Sequence, residues 1–98
     1  MFFTRPLYVS EFWTGWYAHW NDKVQTSNLN KDQKYLETIL FQFNGSVNFY
    51  MFYGGTNFGF MNDATITTRY VYYTPLSEDG NYYTNYWKIK ETFGKNIN

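Results

Sequence analysis

The chain has 98 residues, with eight Lys+Arg against eight Asp+Glu and no cysteine. Zero net charge removes the electrostatic case for a nucleic-acid partner or an anionic membrane, and the missing thiols exclude a disulfide framework, a thiolate nucleophile and a cysteine metal site. The outlying quantity is aromatic: Phe, Trp and Tyr make 26% of the chain and charged residues only 16%, so the rings are expected to line a groove or to pack against other protein.

In chain order, Arg5 and Pro6 interrupt the start where a secretory leader needs an apolar stretch, so residues 1–8 do not read as one. No apolar run approaches the roughly 18 residues of a membrane span. Residues 7–12 (LYVSEF) are short, apolar and β-prone, and read as a strand. The Trp-, Gly- and Asn-rich stretch 13–30 has no clear period and reads as a long, ordered loop.

Residues 31–43 carry helical spacing, with Tyr35, Leu36, Ile39, Leu40 and Phe43 on one stripe. Asn30 is the expected N-cap, Gln33 occupies the capping-box position, and Gly45 suits the left-handed residue after the helix. Residues 47–53 (VNFYMFY) are almost unbroken apolar, as in a parallel strand buried on both faces. Strand, helix and strand with a short return make a βαβ unit, so the fold class is α/β. A Gly-rich corner (54–59), a Thr-rich stretch (64–69), the tyrosines 70, 72 and 73, and a turn at 75–80 follow. The last element is a helix over 82–93, with Tyr86, Ile89 and Phe93 on one side. No internal repeat, low-complexity tract or domain boundary is evident.

Glu11 stands out as a carboxylate at the C-terminal end of a predicted parallel strand, inside an apolar run. Such a group is disfavoured unless hydrogen-bonded or useful, and strand C-termini hold the sites of α/β barrels. A structural Glu bonded to a Tyr or a backbone N–H is the alternative. Asp32, Glu37 and Glu91 fit solvated helix faces. Glu78 and Asp79 fit turn capping, and Asp63 is open to either role. The single histidine, His19, cannot build a His-rich metal site and reads as a hydrogen-bonded, partly buried residue. The corner 54–59 lacks the spacing of a phosphate loop. Asn44-Gly45-Ser46 matches the N-glycosylation pattern, on an expected helix end, and three-residue matches are common by chance. Trp16, Tyr50, Tyr70 and Tyr72, near strand ends or loops, have the ring faces and polar tips that sugars pack against. Phe41, Phe43, Phe49 and Phe52 fit plain core packing.

Three blocks carry a resemblance. Glu11-Phe12-Trp13-Thr14-Gly15-Trp16 with His19-Trp20 resembles the nucleophile segment of the β-galactosidases of glycoside hydrolase family 35. Asn48-Phe49-Tyr50-Met51-Phe52 with the run from Gly54 to Asn62 is similar to that family's eighth-strand signature. Tyr70-Val71-Tyr72 with Pro75-Leu76-Ser77-Glu78 is similar to its next block. The order and spacing of all three agree over residues 6–80.

The resemblance implies that residues 1–98 are part of a (β/α)₈ TIM barrel: strand 7, helix 7, strand 8 and the following segment, not a complete domain. The remainder of the barrel would cover the hydrophobic faces. It also implies retaining hydrolysis of terminal β-D-galactosyl bonds, with Glu11 as nucleophile and the acid/base on strand 4, outside this chain. Trp13, Trp16, Tyr50, Tyr70 and Tyr72 would line the galactose pocket. No cofactor is implied, and the location would be lysosomal or secreted. Ala18, Val71 and Tyr73 stand where the family carries acids, which concerns the outer shell of the site. The reading from another class is a degenerate or truncated member that at most binds galactosides without catalysis.

Overall fold

A computed structural model describes residues 5–23, 28–61, 63–65, 67, 69 and 72–95. Strand β1 (Tyr8–Trp13) pairs in parallel with β2 (Ser46–Tyr50). Helix α1 (Leu29–Glu37) and a π-helical turn (Thr38–Gln42) lie between them in sequence. Helix α2 (Thr84–Gly94) closes the chain order. The strand–helix–parallel strand order expected from the apolar pattern is therefore present, with shifted boundaries.

The register is not uniform. Tyr8 and Val9 face Ser46 and Val47, whereas Phe12 and Trp13 face Phe49 and Tyr50. Ser10 and Glu11 thus share Asn48 as their single opposite number, which is a bulge in β1. The Asn48 side-chain amide donates to the Ser10 carbonyl at 3.1 Å. Because of the extra residue, Val9 and Phe12, three apart, are both half-buried while Ser10 and Glu11 are exposed.

The helix start lies earlier than the expected Asn30. Asn28 is the N-cap, and its Oδ1 accepts from the Lys31 N–H at 3.2 Å. Asn28 offers the same acceptor as Asn30 two residues sooner, so Asn30 falls inside the helix. Gln33 does not close a capping box; its amide donates across to Thr92 Oγ1 of α2 at 3.3 Å. The regular helix stops at Glu37 and widens into the π turn, and the Phe43 N–H closes on the Thr38 carbonyl. The left-handed position after it belongs to Asn44 (φ 49°), not to Gly45. Gly45 serves a different need: a Cβ there would lie 3.0 Å from Ile39 Cγ2 and 3.1 Å from the Ile39 carbonyl oxygen.

The second strand ends at Tyr50 rather than at residue 53, because Tyr53 bridges to Leu76 instead of extending the pair with β1. The Tyr50–Met51 peptide is cis. Arg69 bridges back to Thr56, and Leu76 also bridges to Tyr82. These single bridges fold the segment after β2 into a compact corner, which uses Gly55 at φ 71°.

Helix α2 begins at Thr84, not 82. Two residues of its expected apolar side find ring partners, Phe93 against Phe49 and Tyr86 against Phe52, both at 6.3 Å between ring centroids. Yet the residues it buries are Asn85 and Thr92. It is tied to α1 by the Gln33–Thr92 bond, by Lys88 Nζ to Asn30 Oδ1 at 2.6 Å, and by the Lys95–Glu37 ion pair at 2.7 Å. Plain core packing does not hold for three of the four named phenylalanines: Phe41, Phe43 and Phe52 are exposed and Phe49 is half-buried. Among the described residues the buried hydrophobic side chains are Ala18 and Leu36.

Candidate active site

The C-terminal ends of β1 and β2 gather the residues singled out above. Register places Trp13 opposite Tyr50, with Glu11 two residues back on the bulged strand. Their rings lie 5.8 Å apart. Trp16 folds back so that its indole stacks on Trp13 with centroids 4.2 Å apart and planes inclined by 17°. Tyr17 continues the stack on Trp16 at 4.7 Å. Aromatic pairs in this arrangement contribute about 1 kcal/mol each beyond their burial, and together with the backbone bonds from Trp20 to Thr65 and from Thr67 to Ala18 they hold residues 14–20 outside any strand or helix.

Glu11 is exposed rather than enclosed in an apolar run. The bulge turns it out of the alternation that would have pointed it at the core. The indole N–H of Trp13 donates to Glu11 Oε2 at 3.1 Å. One carboxylate oxygen is thereby held, and the carboxylate is tied to the ring at the strand's end.

Tyr72 joins the cluster through its backbone, whose N–H donates to the Trp16 carbonyl at 3.1 Å. Its hydroxyl shares a 2.8 Å hydrogen bond with Thr67 Oγ1, and the Arg69 guanidinium sits 5.3 Å from its ring. Of the six candidate site residues, Glu11, Trp13, Trp16, Tyr50 and Tyr72 are brought into this chain of contacts. Tyr70 lies outside the described residues, as does Val71.

Several supporting groups were not legible as such. Thr14, buried, donates its hydroxyl to the Met51 carbonyl, and its N–H donates to the Tyr50 carbonyl at 3.3 Å. Asn85, also buried, donates its amide to the Tyr73 carbonyl at 2.8 Å and the Thr14 carbonyl at 3.3 Å. It therefore links α2 to both segments that carry the cluster. Asn57, buried in the Gly-rich corner, bonds the Asp63 N–H and the Asp63 and Thr67 carbonyls. A polar residue at the edge of a Gly-rich turn was the available signal for Asn57. Nothing in local sequence marks Asn85, whose partners are 12 and 71 residues away.

Charge is concentrated beside the cluster. Arg69 Nε donates to Glu78 Oε1 at 2.7 Å, its other arm donates to the Tyr83 hydroxyl at 3.0 Å, and Thr56 Oγ1 donates to Glu78 Oε2 at 2.7 Å. The guanidinium first, and the Thr56 hydroxyl second, hold the Glu78 carboxyl below its ordinary range, while donating to Glu78 raises Arg69. Glu78 is thus an ion-pair partner rather than a turn cap. A hollow of about 350 Å³ opens between Leu29, Arg69, Tyr72, Tyr73, Tyr83, Thr84 and Asn85. His19 is exposed, not partly buried; its backbone N–H and its ring hold the Asp22 carboxyl below the usual value. Among the described residues no three His, Asp or Glu side chains converge in a way that could hold a metal ion. Among the same residues no helix is long and apolar enough to cross a membrane.

Comparison with known proteins places the sequence in one family. The sequence profile of glycosyl hydrolases family 35 matches residues 2–96. Beta-galactosidase-1-like protein 3 of Homo sapiens is 38% identical over 96 residues, covering 91% of this chain and 14% of the relative. Beta-galactosidase-1-like protein 2 of Homo sapiens is 38% identical over 100 residues, covering 93% and 15%. The beta-galactosidase of Bos taurus is 38% identical over 97 residues, covering 94% and 15%. The chain thus spans about one seventh of the length of these curated relatives.

Proposed function

The chain belongs to glycosyl hydrolases family 35, and from that premise we propose that it supplies the nucleophile and part of the galactose pocket of a retaining β-galactosidase. The observation that carries this reading is the Glu11–Trp13–Trp16–Tyr50 cluster at one end of a parallel strand pair. Relatives named as beta-galactosidases support the substrate class. In this reading residues 1–98 form strand 7, helix 7, strand 8 and the next segment of a TIM barrel. The protein acts in a lysosomal or secreted setting.

The chemistry is a double displacement with two carboxyl groups about 5–5.5 Å apart. The free oxygen of Glu11 attacks the anomeric carbon while the acid/base, contributed from outside this chain, protonates the departing glycosidic oxygen. Water then hydrolyses the galactosyl ester, activated by the same acid/base. The Trp13 indole N–H steadies the oxygen that does not attack. Trp13, Trp16, Tyr50, Tyr70 and Tyr72 line the galactose pocket: Trp16, stacked between Trp13 and Tyr17, contributes its edge, the other rings pack against the C–H face of the sugar, and the tyrosine hydroxyls meet its polar edge. No cofactor takes part in such a mechanism.

The test uses the full-length gene product. Glu11→Gln keeps the side chain's shape and removes the attacking oxygen. Turnover of an aryl β-galactoside is expected to fall by ~10⁴ or more, about 5 kcal/mol of transition-state stabilisation. A 2-fluorogalactoside should add its sugar to the peptide containing Glu11. Labelling of Asp63 or Glu78, or near-normal turnover in Glu11→Gln, would assign a different nucleophile. Galactoside binding with no turnover in the unaltered protein would instead favour a degenerate, non-catalytic member.

A further inference from the structure

We propose that Asn44 is a modification site, the acceptor of an N-linked glycan placed at the end of the strand pair opposite to the proposed galactose end. Asn44-Gly45-Ser46 is the one Asn-x-Ser/Thr tripeptide in the sequence. From sequence the tripeptide falls on an expected helix end, and in the structure the π turn ends at Gln42, with Asn44 in the connection to β2. Asn44 and Ser46 are both exposed. Among the described residues neither the Asn44 carboxamide nor the Ser46 hydroxyl is engaged in a hydrogen bond; the tripeptide is held by backbone alone. The Gly45 N–H donates to the Ile39 carbonyl at 2.8 Å and the Ser46 N–H to the Leu7 carbonyl at 2.9 Å. With φ at 49°, Asn44 reverses the chain direction, and Gly45 fits against Ile39 where a Cβ would crowd it. Both groups that an oligosaccharide transferase reads, the amide and the hydroxyl two residues on, are therefore free on an anchored loop.

Position makes the modification compatible with function. Ser46 opens β2 and Tyr50 closes it, a separation of about 13 Å at ~3.3 Å per residue. Asn44 precedes the N-terminal end of β2, whereas Trp13 and Tyr50 stand at the C-terminal ends of the two strands. The co-reactant is an oligosaccharide carried on a lipid pyrophosphate. The Asn44 Nδ2 forms a bond to the sugar C1, the C1–O bond to the pyrophosphate breaks, the amide gives up one proton, and the lipid pyrophosphate leaves.

The inference rests on the lysosomal or secreted location proposed above, and its test separates the two. The full-length gene product is passed through a eukaryotic secretory pathway, then treated with peptide N-glycosidase in heavy-oxygen water. The peptide containing Asn44 should carry a heavy-oxygen-labelled aspartate at that position. Asn44→Gln and Ser46→Ala should abolish the label, and Ser46→Thr should keep it. Asn44→Gln should leave galactoside hydrolysis within about twofold, as for a surface exchange remote from the chemistry. An active, secreted protein with a bare Asn44, or a label that persists in Ser46→Ala, would overturn the inference while leaving the enzyme reading intact. A glycan at Asn44 on a protein that hydrolyses no galactoside would do the reverse.

Discussion

A carboxylate on an exposed strand end has many orientations open to it, and the Trp13 indole N–H removes most of them. Hydrogen bonds to charged groups contribute about 1.5–3 kcal/mol. Trp13→Phe keeps a ring for the stack on Trp16 and removes the donor. In the full-length protein kcat/KM should fall by about 10- to 100-fold, read together with separate kcat and KM values. A loss confined to KM would mean that the ring binds sugar and the N–H does nothing for Glu11. The Arg69–Glu78 pair makes a second residue-scale claim. The Glu78 carboxyl is held below its ordinary range, first by Arg69 and then by Thr56. A depressed carboxyl stabilises the folded state above its unfolded pKa, about 4.3, and that contribution is lost as pH falls through the lower folded value. The difference in urea midpoint between the full-length protein and its Glu78→Gln variant should therefore be constant near neutrality and close as pH drops below about 4. A difference that persists unchanged into acid would mean that Glu78 acts through packing alone.

Among the elements, α2 shows how the cluster is kept in place. Asn85 gives its two amide hydrogens to Tyr73 and Thr14 carbonyls, so one buried side chain holds the Tyr72 segment against the end of β1. Asn85→Leu fills similar volume but strands two carbonyls, a loss of about 1–3 kcal/mol. A lowered melting temperature with a raised KM for galactosides is expected; an unchanged KM would confine Asn85 to stability. What the sequence could show at this scale follows from which interactions are local. Apolar period and turn chemistry are local, so the parallel pair, the helix between its strands and the helix that closes the chain were legible. The bulge at Ser10–Glu11 is a matter of pairing with Asn48, 38 residues away, and no period in β1 betrays it. The same is true of Gly45: its reason is the close approach of Ile39, which only the folded π turn creates. Glu11 was legible as a carboxylate at a strand end and Trp16 and Tyr50 as rings near strand ends, and the resemblance added Trp13; that the four meet in one cluster is what the fold adds. Asn85 and Thr14 were not legible, since their partners are backbone carbonyls, which any sequence offers.

At the scale of the molecule, area decides what the chain can do by itself. Its accessible surface is 7197 Å², whereas a compact monomer of 11.9 kDa exposes about 6,000 Å². The radius of gyration of 15.5 Å likewise exceeds the ~13 Å of a compact chain this long. Phe58, Phe60 and Met61 are 70%, 66% and 83% exposed, and the described sheet has only two strands. Among the described residues Ala18 and Leu36 are the buried hydrophobic side chains, too small a core to offset the conformational entropy of ordering a chain of this length, on the order of 100 kcal/mol. Two paired strands need a third, or a full cover of helices, before they are stable in water, and their outer edges are open to pairing with other copies. Expressed alone, the chain should therefore bind a hydrophobic dye, melt without a cooperative transition and grow in size with concentration in light scattering. A monomer with a single sharp transition would contradict this, and would require these rings to find a core that the present arrangement does not contain. If the family barrel supplies the missing cover, Phe41 and Phe43 before β2 and Phe52 after it become packing surface, while under the proposed function the rings around Trp13 and Tyr50 stay open to substrate. Aromatic excess then has two causes in one chain, packing against the rest of the barrel and packing against sugar.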